Sequence, residues 1–192
     1  ALLSKKNNNY ETDLFDFVFA DVEKITGTKM TKKNEIPFRV VSDHIKSICM
    51  LMSDGVIPSN EGRGYVLRRI IRRAFRHGHK LGAKEAFLFK LVQSVIDVMS
   101  DVAKGITHQK EKIESIIKRE EENFEKTLDR GLLLLKNEMD KLSSGDNLSG
   151  DVAFKLYDTY GFPLDLTADI LKGKGIKVDN VGFEKEMEKS KA

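Results

Sequence analysis

The sequence predicts an all-α fold: a multi-helix domain with one long helix and a smaller C-terminal helical subdomain. Three observations carry this. Apolar residues recur at three- and four-residue spacing along most of the chain, the period of a helix with one buried stripe. Charged residues make up 33% of the 192 and aromatics 8%, with no Trp, a balance that favours helices over sheets. The chain also shows no internal repeat and no series of strands.

The elements follow in order. Asn7, Asn8 and Asn9 precede Tyr10. A first helix runs through Leu14, Phe15, Val18, Phe19, Val22 and Ile25. Gly27 ends it, as Gly does just past a helix C-terminus. A polar loop at 28–35 leads to Pro37, which opens a second helix through Val40, Val41, Ile45, Ile48, Leu51 and Met52. Pro suits a first turn, where its missing N–H is not needed. The loop VIPSNEGRG then leads to a third, basic helix. Residues 84–103 are expected to form a fourth, with Phe87, Leu88, Leu91, Val92, Val95, Ile96 and Met99 on its apolar face. Residues 107–142 read as one long helix, whose narrow stripe comprises Ile113, Ile117, Phe124, Leu128, Leu132, Leu135 and Met139. Such a seam suits a single partner helix, and the stripe is interrupted at 119–123. The linker at 143–150 marks the expected boundary between a domain at 1–142 and a subdomain at 143–192. In the latter, a short helix at 151–160 ends at Gly161. Pro163 starts another that runs to about Lys172, 176–178 is extended, and 183–191 is a polar helix.

Charge is concentrated in one place. The net charge is only +3, yet the stretch from Arg63 to Lys80 holds six Arg and one Lys and no acid. The remainder is therefore net acidic. Within GRGYVLRRIIRRAFRHGHKLG, Leu67, Ile70, Ile71, Ala74 and Phe75 form an apolar stripe. Arg68, Arg69, Arg72, Arg73, Arg76 and Lys80 fall on the opposite arc, at about 100° per residue. An unneutralised Arg row binds phosphate, because the guanidinium fork matches phosphate oxygens. A solvated basic face with Glu partners on neighbouring helices has the same pattern. The single Cys49 excludes an internal disulfide and reads as a small buried hydrophobe. With no transmembrane span and no signal peptide, the expectation is a cytoplasmic protein with no membrane partner. The start, ALLSKK, lacks an initiator Met, which leads to the expectation of a fragment or a processed chain.

No catalytic set is legible. GRG at 62–64 lacks a Walker lysine and follows no strand. His77 and His79 lie two apart on a helix and cannot share a metal, while His44 and His108 stand alone, so no metal site is expected. The cluster YDTYGFPLDLT at 157–167 is unusual in placing Asp158 between two tyrosines where a helix ends. A plain helix–turn–helix corner, punctuated by Gly161 and Pro163, accounts for the same residues.

Two stretches carry a family likeness. DGVIPSNEGRGYVLRRIIRRAFRHGHKLG at 54–82 and FKLYDTYGFPLDLT at 154–167 resemble two signatures of alanyl-tRNA synthetase, in order and spacing. The resemblance covers essentially the whole chain. It implies an ATP-dependent alanine–tRNA ligase of class II, with this chain as the helical segment that follows the catalytic core. On that alignment residues 1–6 are the tail of the helix carrying the third class II motif. The ATP- and Mg-dependent catalytic domain is expected before Ala1, and the zinc-binding editing domain after Ala192. No cofactor is then expected in the segment itself, and its partners would be that catalytic domain and the acceptor stem of tRNA(Ala).

The resemblance further implies that an Asn and an Asp read the G·U wobble pair of the stem. By motif position these are Asn60 and Asp158. Arg63, Arg68, Arg69, Arg72, Arg73, Arg76 and Lys80 would then hold the backbone. The other reading of Asn60 is an N-cap for the basic helix. A stand-alone helical RNA-binding module and a helical protein-interaction scaffold are the alternatives for the chain as a whole.

Overall fold

The computed structural model describes residues 13–99 and 103–191. The stretch 1–6, the asparagines before the first helix and Tyr10 lie outside them. Among the described residues are nine α-helices and one two-stranded ladder of two residues per strand, which agrees with the all-α expectation. The chain forms two compact units, 1–122 and 123–192, and the division falls inside α6 (Lys110–Met139).

In the first unit, α1 spans Asp13–Thr26, α2 spans Glu35–Ser53 and α3 spans Gly62–Lys80. Their apolar stripes meet as the sequence predicts. Val22, Phe38, Val41, Ile45, Ile48, Leu67, Ile71 and Ala74 are fully buried. Burying each such aliphatic or aromatic side chain larger than Ala contributes about 1.5–3 kcal/mol. Phe19 meets Phe38 edge-on at 6.1 Å, and Phe75 stacks on Phe87 at 6.0 Å. Cys49 is fully buried, and burial, helped by the Glu114 charge, pushes its thiol up to about 12. It is an inert part of the core.

Two helix expectations need correction. Residues 84–103 do not form one helix. A 3-10 turn at Leu88–Leu91 leads into α4 (Val92–Met99), and the chain before Leu88 is not helical. The reason is a buried carboxylate. Glu121 has no exposure and accepts from the backbone N–H groups of Phe87 (3.0 Å), Leu88 (2.7 Å) and Phe89 (3.3 Å). A helix leaves its first N–H groups without partners, and here one distant acid meets three of them. The long helix is also shorter than expected. A separate α5 (Lys104–His108) precedes it, and Gln109 breaks the two apart, its Nε2 donating to the Ser53 carbonyl at 3.1 Å.

In the second unit, α6 contributes its C-terminal half. Then come β1 (Asn147–Leu148), α7 (Gly150–Asp158), α8 (Leu164–Lys172), β2 (Lys177–Val178) and α9 (Asn180–Lys191). The expected extended stretch at 176–178 finds a parallel partner within the predicted linker, with Asn147 opposite Lys177 and Leu148 opposite Val178. The helix expected at 183–191 begins at Asn180, because Asp179 caps it through Oδ1 to the Gly182 N–H at 2.9 Å. Gly131 of α6 fits against the fully buried Phe162. A Cβ there would lie 2.4 Å from that ring, so only Gly allows the approach.

Replacing Glu121 by Gln keeps its shape but removes the charge and one acceptor from three backbone N–H groups, two of them in buried hydrogen bonds. Glu121→Gln should lower stability by about 1–3 kcal/mol, the scale of a charged hydrogen-bond loss. Glu122→Gln, on an exposed neighbour, should do almost nothing. Urea unfolding of the two variants measures the difference.

A second expectation concerns pH. His77 is partly buried on α3, with Lys80, Arg73, Arg76 and the α2 residue His44 around it. Burial first, then these positive neighbours, push it down to about 4 from its ordinary 6.5. Between those two values the unfolded chain binds the extra proton and the folded chain does not. Stability from this group is therefore complete above about 6.5 and is lost as pH falls toward 4. Melting curves of wild type and His77→Gln from pH 7.5 to 4.5 should show a shallower acid limb in the variant; parallel limbs would contradict this.

Candidate nucleic-acid interface

The loop before α3 is held against the helix by a glycine. A Cβ on Gly64 would lie 2.4 Å from the Ile57 carbonyl and 2.2 Å from Ser59 Oγ. No larger residue permits that approach. Ser59 Oγ also donates to the Glu61 carbonyl at 2.9 Å, which tightens the loop. Asn60 is exposed at its tip.

Asn60 does not cap α3. The N-cap is Glu61, and no side chain caps the helix start. Instead, Asn60 Oδ1 accepts from Nη1 of Arg68, two turns into the helix. Only an oxygen can face that donor, so the amide orientation is fixed chemically. Its Nδ2 group makes no hydrogen bond among the described residues.

The basic row is not unneutralised, as the sequence pattern led us to expect. Arg68 Nε and Arg72 Nε both reach Glu120 Oε1 at 2.9 Å, and Arg72 Nη2 reaches the same oxygen at 2.8 Å. Glu120 is only 5% exposed and comes from α6. For these two arginines, the pattern of a Glu partner on a neighbouring helix is the correct one. Burial lowers the Arg72 pKa, and the Glu120 charge works against that shift. Two guanidinium groups on one carboxylate still leave a net positive charge.

The remaining cations differ from one another. Arg63 and Lys80 are exposed at the two ends of α3. The Arg69 guanidinium lies 5.9 Å over the Tyr65 ring, within cation–π range. Arg69, Arg73 and Arg76 are half-buried. Arg76 Nε is buried without a hydrogen-bond partner, and burial lowers its pKa.

Asp158 belongs to the second unit and is the last residue of α7. Several of its neighbours in the chain are held in place. Tyr157 meets Phe183 edge-on at 5.6 Å, the Tyr160 carbonyl accepts from Thr127 Oγ1 at 2.7 Å, and the Phe162 N–H donates to the Leu156 carbonyl at 2.9 Å. Phe162 also meets Phe124 edge-on at 5.5 Å. Asp158 itself is exposed and has no hydrogen-bond or ion-pair partner among the described residues. A carboxylate at a helix C-terminus faces the negative end of the dipole, an unfavourable place. The fold thus keeps an acid where local electrostatics disfavour one, a common mark of a functional position.

Sequence reasoning missed Glu120 and Glu121. A signal for them existed: they occupy the interruption of the apolar stripe at 119–123. Among the described residues no three His, Cys, Asp or Glu side chains converge to hold a metal ion, so no metal chemistry is derived from them. No helix among the described residues is long and apolar enough to cross a membrane.

A comparison with known families agrees with the motifs, the helical fold and the cationic helix. The family described as tRNA synthetases class II (A) matches residues 1–192. The chain belongs to the class II alanyl-tRNA synthetase family.

Proposed function

We propose that this chain is the tRNA-recognition part of an alanine–tRNA ligase. It grips the acceptor stem through α3 and reads the G·U wobble pair with Asn60 and Asp158, so that an attached catalytic domain can ligate alanine. The observation that carries this reading is a pair of exposed groups with opposite hydrogen-bonding character. Asp158 offers acceptors only, and Asn60 offers the donors of Nδ2. A G·U wobble leaves the guanine 2-amino group without its usual partner in the minor groove, where an A-form stem is open to protein. A carboxylate accepts from that group. The Asn60 donors suit an acceptor edge, such as guanine O6 and N7 with uracil O4.

The cations divide by role. Arg63 and Lys80, with the heads of Arg69, Arg73 and Arg76, are assigned to phosphates. Arg68 and Arg72 are engaged with Glu120 and serve the backbone less. The ATP- and Mg-dependent chemistry, and the zinc of editing, are assigned to other parts of the parent enzyme.

Four outcomes are expected. Asp158→Asn and Asn60→Ala should each cut the preference for a G·U over a G·C minihelix by about 1–3 kcal/mol, the value of a good base contact, with little change in melting temperature. Competition binding and thermal melts separate the two effects, because phosphate contacts position and base contacts specify. Arg63→Ala or Lys80→Ala should weaken both stems alike, lowering the log–log salt slope by roughly 0.7–0.9 per lost contact. Arg72→Ala should chiefly lower stability, since it removes one of two partners from the buried Glu120. Finally, the chain alone should give no alanine-dependent ATP–pyrophosphate exchange. Exchange above background would contradict the assignment of catalysis to another domain.

A further inference from the structure

We infer that Glu120 is a positioning residue for base readout, acting through Arg68 to fix the Asn60 amide. This rests on the proposed reading of Asn60. The geometry is a relay of three side chains. Glu120 is buried and held in place by α6. Its Oε1 takes Arg68 Nε at 2.9 Å, and the Arg68 Nη1 on the same guanidinium donates to Asn60 Oδ1. A planar guanidinium can serve two acceptors at once in fixed directions, which an ammonium cannot.

Each link has a consequence for the next. Arg68 is a long, partly exposed side chain, and without an anchor its head would sample many rotamers in water. Glu120 removes that freedom from the protein side. Arg68 then engages the carbonyl oxygen of Asn60, an exposed side chain on a loop. With that oxygen held, the Nδ2 donors are the groups of Asn60 that have no partner among the described residues. A free Asn presents donor or acceptor by a simple flip and discriminates poorly between base edges; a held one does not. Arg72 completes the arrangement. It shares Oε1, so Glu120 keeps a partner whatever Arg68 does, and the cluster stays cationic beside Asn60.

The test is a double-mutant cycle on the full chain, reading the ratio of affinities for G·U and G·C acceptor minihelices. Asn60→Ala, Glu120→Gln and their combination are compared. Glu120→Gln should reduce the ratio about fivefold or more, the scale of one base contact. The combination should lose no more than Asn60→Ala alone, since both remove the same contact. Arg68→Lys is the second variant, for the case that Glu120→Gln unfolds. It leaves Glu120 paired with Arg72 but takes away the fork. The readout that a merely structural role would not move is the side-chain amide NMR signal of Asn60, assigned by its loss in Asn60→Ala. In RNA-free wild type it should be displaced from the free-amide position, and both Glu120→Gln and Arg68→Lys should return it there. If Asn60→Ala lowers the ratio while folded Glu120→Gln and Arg68→Lys do not, the relay is overturned. If Asn60→Ala leaves the ratio unchanged, the base-readout assignment fails instead. The amide signal then decides the relay: an unmoved signal overturns it and a moved one upholds it.

Discussion

Glu120 and Glu121 are neighbours on α6, and both are buried. Burying a carboxylate without partners costs several kcal/mol, so each must be met by strong donors. Adjacent residues on a helix point about 100° apart, and the two acids accordingly serve different neighbours. Glu121 gathers three backbone N–H groups and fixes where the chain after α3 turns helical. Glu120 gathers two guanidinium groups and fixes the N-terminal half of the basic helix. The first acid shapes the fold of its unit, and the second shapes the surface that the unit presents.

That division explains why a row of cations that looks uniform in sequence is not uniform in structure. Arg68 and Arg72 face an acid and are partly neutralised. Arg63 and Lys80 face water. Arg69, Arg73 and Arg76 lie between, half-buried. A helix built this way supplies both paired and exposed positive charge. The paired charge of Arg68 holds Asn60, and the exposed charge suits a phosphate backbone that arrives from solution.

Periodicity was enough to find α1, α2 and α3, because each buries one stripe and each ends at a residue with a plain backbone reason. The glycine and proline of the YDTYGFP corner were legible for the same cause. Residues 84–91 were not, since their apolar content suits a helix and only a distant acid, more than thirty positions away, dictates otherwise. The pairing of Asn147 with Lys177 was equally hidden, because a two-residue ladder has no period to detect. At the site, Asn60 and Asp158 came from motif likeness, and local spacing alone left Asn60 as readily a cap. Its hold by Arg68 depends on a side chain two turns away and on Glu120, neither of which a local pattern reveals.

On the proposed function, this chain distinguishes a wobble pair from a Watson–Crick pair by exposed, oriented hydrogen-bonding groups rather than by charge alone. The most direct measurement is competition between two acceptor minihelices that differ only in G·U against G·C, run with the wild-type chain at two salt concentrations. Tighter binding of the G·U stem is expected at both, with a ratio that salt hardly changes, because base contacts release no counterions. Equal affinity for the two stems at both salt concentrations would contradict it.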